Sequence, residues 1–195
     1  MSADRQTLTV YDAQAEAYAA RRDGWIEPGL PEFMAQLPAG GSVLDLGCGP
    51  GDSALNMQQA GFRVDAVDAS AEMVKAANAL GVNARQATFD EIEGEAVYDG
   101  IWASYSLLHA PREAMPGHLA RLRRALKPGG YFHIGMKLGT GAQRDPLGRL
   151  YTYYGEDELE GLLLAAGLTP VARELSSGIG LDQQEYFGIW MQANG

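Results

Sequence analysis

The sequence predicts an α/β fold, a mostly parallel sheet layered between helices, and three observations carry the prediction. Five short strand-like runs fall between residues 43 and 136 with helical stretches among them, the order that builds βα units on a parallel sheet. One of these runs, Val43-Leu44-Asp45-Leu46, empties into a turn with glycines at 47, 49 and 51 and then into a helix. The chain closes on two further strand-like runs joined by a Gly/Ser-rich loop. A length of 195 residues fits one such domain, spanning 1–195, with a full core and little room for a second.

Composition narrows the function. The formal net charge is −10, and neither a basic stripe nor a basic–aromatic interleaving interrupts it. Duplex nucleic acid and anionic membrane are therefore disfavoured as partners. Arg121, Arg123 and Arg124 read as the solvated face of a helix. Cys48 is the single cysteine, which leaves no intramolecular disulfide and no cysteine zinc site. Met1 to Val10 is polar and lacks the apolar core of a secretory signal, and no apolar run approaches transmembrane length. The expectation is a soluble cytoplasmic protein.

Tyr11 to Arg22 spaces its alanines for a helix, with Asp12 as the expected N-cap and Arg21-Arg22-Asp23-Gly24-Trp25 ending it. A second short helix is expected from Pro31 to about Leu37, proline being suited to a first turn. Both precede the first strand, so residues 1–40 form a helical segment outside the repeating core. Such a segment either folds over a ligand mouth as a cap or uses Tyr18 and Trp25 to anchor itself to the sheet.

The stretch Val43 to Gly51 organises the rest. Its glycines let the backbone turn sharply and let a ligand approach without a Cβ in the way. A loop of this kind at the carboxyl end of a central strand is where open α/β sheets bind nucleotides. The dinucleotide fingerprint G-x-G-x-x-G is not met, and Pro50 removes an amide that a pyrophosphate would use. No Gly-Lys-Ser/Thr follows, so the phosphate loop of nucleotide hydrolases fails as well. The run Val43-Leu44-Asp45-Leu46-Gly47-Cys48-Gly49-Pro50-Gly51 resembles motif I of the class I S-adenosylmethionine-dependent methyltransferases without a break. The resemblance extends to the last strands. It implies a three-layer, Rossmann-like methyltransferase fold with a seven-stranded, mostly parallel sheet whose last strand is antiparallel. It also implies S-adenosyl-L-methionine as cofactor, S-adenosyl-L-homocysteine as product, and methyl transfer to a small-molecule acceptor. Asp45, Gly47, Cys48, Gly49 and Gly51 are the cofactor residues it assigns here. The opening Tyr-Asp-x-x-Ala-x-x-Tyr resembles the start of small-molecule members, in which tyrosines at the positions of Tyr11 and Tyr18 contact the cofactor.

A helix from about Ser53 to Ala60 and a strand from Arg63 to Val67 follow, ending in Asp68-Ala69-Ser70. Asp68 lies 17 positions beyond Gly51, close to the offset of about 20 at which a carboxylate meets a ribose in nucleotide-binding units. Ser70 already suits the cap of the next helix, which leaves Asp68 for ribose hydroxyls, with Ala69 beside it. Met73 borders an adenine or belongs to the core. A third strand, Asn83 to Thr88, leads into Phe89-Asp90; by resemblance Thr88, Phe89 and Asp90 border the adenine, while core packing is an equal reading for Phe89.

Tyr98 to Ser104 is the fourth strand, and its exit through His109 resembles motif IV, which places Ser104, Tyr105 and Ser106 toward the reacting methyl. His109 is the candidate general base, with a structural hydrogen-bonding role as the alternative. His118 to Leu126 is an amphipathic helix that Lys127-Pro128-Gly129-Gly130 ends before a fifth strand, Tyr131 to Met136. Lys137 to Tyr154 reads as a long loop, either at the substrate mouth, where Arg144 or Arg149 would steer an anionic acceptor and Tyr151 and Tyr153 would stack on it, or as a solvent-exposed connection whose tyrosines cover the core. A helix from Glu156 to Ala166 and strands at about Thr169–Leu175 and Glu185–Gln192 complete the chain. No Asn-Pro-Pro-Tyr-like motif follows the fourth strand, so base amino methylation is not expected, and no metal set is evident. A catalytically silent cofactor-binding regulator and a nicotinamide-dependent oxidoreductase are the alternatives. Cys48 as a nucleophile lacks an adjacent histidine, so an inert thiol is the expectation.

Overall fold

The computed structural model describes residues 3–22 and 26–195; Trp25 lies outside them. The chain runs through α1 (Arg5–Arg22), α2 (Leu30–Ala35), β1 (Ser42–Leu46), α3 (Asp52–Gln59), β2 (Arg63–Asp68), α4 (Ala71–Ala79) and β3 (Ala84–Gln86). It continues through β4 (Tyr98–Ser104), α5 (Met115–Ala125), β5 (Leu126–Lys137), β6 (Ala142–Arg144), β7 (Leu150–Thr152), α6 (Glu156–Ala165), β8 (Thr169–Ile179) and β9 (Glu185–Asn194). Seven strands form one sheet in the order β3-β2-β1-β4-β5-β9-β8, and β6 and β7 form a separate hairpin. All neighbours from β3 to β5 are parallel, and β9 runs antiparallel to both β5 and β8. This is the sheet that the resemblance implied.

Side-chain alternation sends Val43 to one face of β1 and Leu44 and Leu46 to the other. Helices α5 and α6 cover the Leu44 face, with Leu119, Leu122, Leu159 and Leu163 packed against Ile101, Phe132 and Ile134. Helices α2, α3 and α4 cover the opposite face through Phe33, Met57, Ala54 and Ala77. Burial on both faces is why the central strands read as unbroken apolar runs. His133 sits on that second face, stacked on Trp102 at a centroid distance of 3.6 Å. It is fully buried, and burial holds its pKa well below the usual histidine value, which makes it a neutral core residue.

The order of strands reverses between β1 and β4, so the exits of these two strands open a crevice at the carboxyl edge of the sheet. Several elements differ from expectation in ways that shape this crevice. Helix α1 starts at Arg5 rather than Tyr11, and its cap is Asp4, whose Oδ1 accepts from the Thr7 amide and hydroxyl at 2.8 Å each. Asp12 is therefore inside the helix, not at its start. Its carboxylate accepts from Ser70 Oγ at 2.6 Å and the Glu72 amide at 3.3 Å, strapping α1 to the beginning of α4. Ser70 caps α4 as expected, accepting from the Met73 amide at 3.1 Å.

Residues 137–154 are a β6–β7 hairpin, not an open loop, with Gln143 opposite Tyr151. The third strand stops at Gln86, and residues 89–91 form a 3₁₀ turn capped by Thr88 and Glu91. The Lys127 to Gly130 stretch lies within β5; the pairing jumps from Tyr98–Leu126 to Gly100–Tyr131, a bulge that holds Gly129 at φ +73°. Among the described residues no helix is long and apolar enough to cross a membrane.

Candidate functional site

The loop after β1 is folded by left-handed glycines, with φ of +75° at Gly47, +54° at Gly49 and +98° at Gly51. The Gly47 and Cys48 amides both donate to the Val67 carbonyl, at 2.8 and 2.9 Å, and so bend the loop over the end of β2. Gly47 touches the exit of β4: a Cβ there would lie 2.4 Å from Ser106 Cβ. Gly51 serves packing, since its Cβ would lie 3.0 Å from Ala77 Cβ on α4. Asp68 ends β2 beside the loop, its Oδ2 accepting from the Gly49 amide at 2.9 Å and its Oδ1 from the Ser70 amide at 2.8 Å. Burial raises the Asp68 pKa, while those amide hydrogen bonds oppose the rise.

These residues wall a first chamber of about 730 Å³, its solvent-open mouth included. Gly47, Gly49, Asp68 and Ala69 form one side, and Met73, Thr88 and Phe89 another. Tyr11 and Tyr18, seven residues apart on one face of α1, close the third, against Ser104, Tyr105, Ser106 and His109 from the end of β4. Asp45, Cys48 and Gly51 do not line it. Asp45 is 2% exposed behind the loop. Cys48 is also buried, and burial, with Asp45 and Asp68 nearby, pushes its thiol pKa far up, the opposite of a reactive thiolate.

A second chamber of about 1300 Å³, its solvent-open mouth included, shares Tyr11, Tyr18, Ser104, Tyr105 and His109 with the first. The hairpin of β8 and β9 supplies its far wall through Ser176, Tyr186 and Trp190, and Lys137, Arg149 and Tyr151 its floor. Tyr105 stands in the partition with a left-handed φ of +51°, a strained setting for a side-chain-bearing residue at a strand exit. Its hydroxyl is 3.0 Å from Ser176 Oγ and passes over Gly188, where a Cβ would come within 2.3 Å of it.

His109 is locked. Its Nδ1 is 2.6 Å from the Leu150 carbonyl, which only accepts, so Nδ1 carries the proton. The Tyr11 hydroxyl, 2.7 Å from Nε2, must then donate to the ring's one lone pair. Burial lowers the His109 pKa to about 4, Arg149 and Lys137 adding to the effect. The candidate base thus has its lone pair already engaged.

This arrangement predicts an acid limb in stability. The folded-state pKa lies below the ordinary value of 6.5, so the contribution is whole above about pH 6.5 and is lost as pH falls toward 4. It amounts to roughly 3 kcal/mol by then. Burial lowers His118 and His133 as well, with the same sign. The melting temperature is expected to fall from pH 7 to pH 5, and to fall less steeply in His109→Asn. Thermal scans across that range check it, and parallel slopes would refute the assignment.

Of the residues expected to meet an acceptor, Tyr151 lines the second chamber, whereas Arg144 and Tyr153 line neither. Arg144 is not placed to steer an anion, because both its terminal nitrogens are bonded to the Asp4 carboxylate at 2.9 Å. Arg149, which belongs to the segment expected at the substrate mouth, lines the second chamber too, whereas Lys137, Glu27, Ser176 and Tyr186 were not expected there. The one local signal was Lys137, a charge at the end of a buried strand.

Comparison with known proteins decides the family: the model of a methyltransferase-domain family matches residues 18–173. The chain belongs to that methyltransferase family. The resemblance seen in motif I is thereby established. A curated relative, an uncharacterised methyltransferase of Synechocystis sp., is 32% identical over 111 residues, which are 54% of this chain and 51% of that one. The chain thus matches about half the length of that relative. Among solved structures, the 1,6-didemethyltoxoflavin N1-methyltransferase of Burkholderia thailandensis, with bound 1,6-didemethyltoxoflavin and S-adenosylhomocysteine, is 28% identical. That alignment covers 100% of this chain and 91% of the other with a TM-score of 0.70. A methyltransferase of Methanosarcina mazei shares the fold at a TM-score of 0.74 and 17% identity, covering 87% of this chain and 97% of that one.

The first chamber of this methyltransferase fits S-adenosylmethionine. Gly49 leaves open space beside Tyr18 that a side chain would enter, the Asp68 carboxylate keeps acceptor capacity that ribose hydroxyls could use, and Met73 and Phe89 present apolar faces that suit an adenine.

Proposed function

We propose that this protein moves a methyl group from S-adenosylmethionine to a small planar acceptor held in the second chamber. The observation that carries the reading is the shared wall: two chambers meet at Tyr11, Ser104, Tyr105 and His109, so a donor in one faces an acceptor in the other. The acceptor class is supported by the aromatic lining and by the Burkholderia relative, which was solved with 1,6-didemethyltoxoflavin and S-adenosylhomocysteine together.

S-adenosylmethionine supplies, when bound, a methyl group on a positively charged sulfur, open to in-line displacement. The chain's own work is then alignment and exclusion of water. Asp68 holds the ribose and the glycine loop receives the chain of the cofactor. Tyr105, fixed by its strained backbone and by Ser176, holds the boundary across which donor and acceptor align. His109 acts by positioning Tyr11 rather than by taking a proton.

Helix α1 and residues 26–40 serve as a cap in this reading. Helix α1 is tied to α4 through Asp12, to β7 through Thr7 Oγ1, which accepts from the Leu150 amide at 2.9 Å, and to the turn between β8 and β9 through Arg21.

Calorimetric titration tests the reading. Tight, saturable binding of S-adenosylmethionine and S-adenosylhomocysteine is expected, with none for NADH. Silence from both sulfur ligands would overturn it, and binding of NADH alone would favour an oxidoreductase.

A further inference from the structure

The second chamber holds a positive charge that alignment of a methyl donor does not by itself require. Lys137, the last residue of β5, is 8% exposed and lines this chamber. Its Nζ sits 3.9 Å from the ring centroid of Tyr151 and 4.6 Å from that of Tyr186. Among the described residues this ammonium forms no ion pair with a carboxylate; the neighbouring guanidinium is the one that does. Arg149 Nε donates to Asp145 Oδ2 at 2.8 Å and Nη2 lies 2.7 Å from the same oxygen, so that cation is neutralised within its own turn.

None of the other charges facing Lys137 among the described residues comes within ion-pair distance of its ammonium. Burial lowers its pKa and Arg149 adds to that, while Asp182 and Asp145 pull the other way from beyond ion-pair distance. Arg21 donates to the carbonyls of Ile179 and Gly180, and Glu27, at the β4 end of the chamber, accepts from Ser104 Oγ at 3.3 Å. Two tyrosine faces attract an ammonium, but they return only part of the hydration it gave up. A chamber built this way, in a protein of net charge −10, holds its cation for a ligand that completes it.

We infer that the acceptor is a flat conjugated oxyanion, a carboxylate, enolate or phenolate, whose negative oxygen is taken by Lys137 while its ring lies among Tyr105, Tyr151 and Tyr186. Calling this ligand the acceptor rests on the methyltransferase reading; the anion site itself does not. Negative charge on the acceptor also suits the position between an ammonium on one side and a sulfonium on the other, since each attracts it.

The test compares 2-naphthoate with the neutral, nearly isosteric 2-naphthamide by calorimetry, on the protein alone and on the protein saturated with S-adenosylhomocysteine. The carboxylate is expected to bind at least tenfold more tightly than the amide. Lys137→Met, which keeps the length and apolar stem of the side chain, should erase that preference, and Lys137→Arg should retain it. Equal binding of the two probes, binding of neither, or a preference that survives in Lys137→Met would overturn the proposal. The wild-type contrast needs no variant, so a misfolded substitution cannot mask the result. If S-adenosylhomocysteine fails to bind while naphthoate is still preferred, the methyltransferase reading falls and the anion site stands.

Discussion

Asp68→Ala is expected to weaken S-adenosylhomocysteine binding by about 10²- to 10³-fold while the protein stays folded. Hydrogen bonds to a charged group contribute about 1.5–3 kcal/mol each, and a ribose offers two hydroxyls to one carboxylate. The carboxylate also organises the loop that receives the rest of the ligand, through Gly49 on one oxygen and Ser70 on the other. Its removal leaves two amides short of an acceptor, at a cost of about 1–3 kcal/mol each, which a domain of ordinary stability survives where the open chamber lets water reach them. Asp68→Asn is expected to do little better. Both oxygens accept from backbone amides, so either orientation of the new side chain turns an N–H donor toward another donor. Calorimetric titration of the three proteins, with a melting curve for each, separates loss of the ligand from loss of the fold. Unchanged affinity in Asp68→Ala would sink the ribose assignment.

What could be read in advance follows from how far apart the interacting residues lie. The strand–glycine–helix unit, the Ser70 cap and the position of Asp68 are all set within a few turns of chain, and periodicity and spacing reveal them. The parallel core was legible because strands buried on both faces leave continuous apolar runs. Partnerships across the chain were not. Asp12 has the composition of a cap, yet it bonds Ser70, and the cap is Asp4, whose other partner, Arg144, comes from the far hairpin.

The second chamber draws Lys137 from β5, Arg149 and Tyr151 from beside and within β7, and Tyr186 from β9, segments that carry no shared motif. The state of His109 depends on a carbonyl at position 150 that no pattern around residue 109 announces. Motifs mark where a backbone must bend for a cofactor. Convergence of distant side chains marks what else is bound, and only the fold shows it.

Gly47→Ala is expected to be the most damaging single substitution in the loop, lowering stability by about 3–5 kcal/mol and abolishing detectable S-adenosylhomocysteine binding. Two costs add. At φ +75° a residue with a Cβ is strained, by about 1–2 kcal/mol. The new methyl would also stand 2.4 Å from Ser106 Cβ, a distance that forces the loop or the β4 exit to move. Movement of either pulls the Gly49 amide from Asp68 and shifts the partition beside Tyr105, so binding fails along with packing.

The two costs can be separated. In Gly47→Ala/Ser106→Gly the offending Cβ and hydroxyl are gone, and the nearest atom becomes the backbone Cα of residue 106 at 3.6 Å, an ordinary contact. The double variant is therefore expected to recover all but the conformational cost of the left-handed alanine, and to regain measurable binding. Denaturant midpoints of the wild type and both variants measure the recovery. A double variant no more stable than Gly47→Ala would mean that backbone strain alone sets the penalty, and that the junction of the glycine loop with the β4 exit does not hold the site in shape.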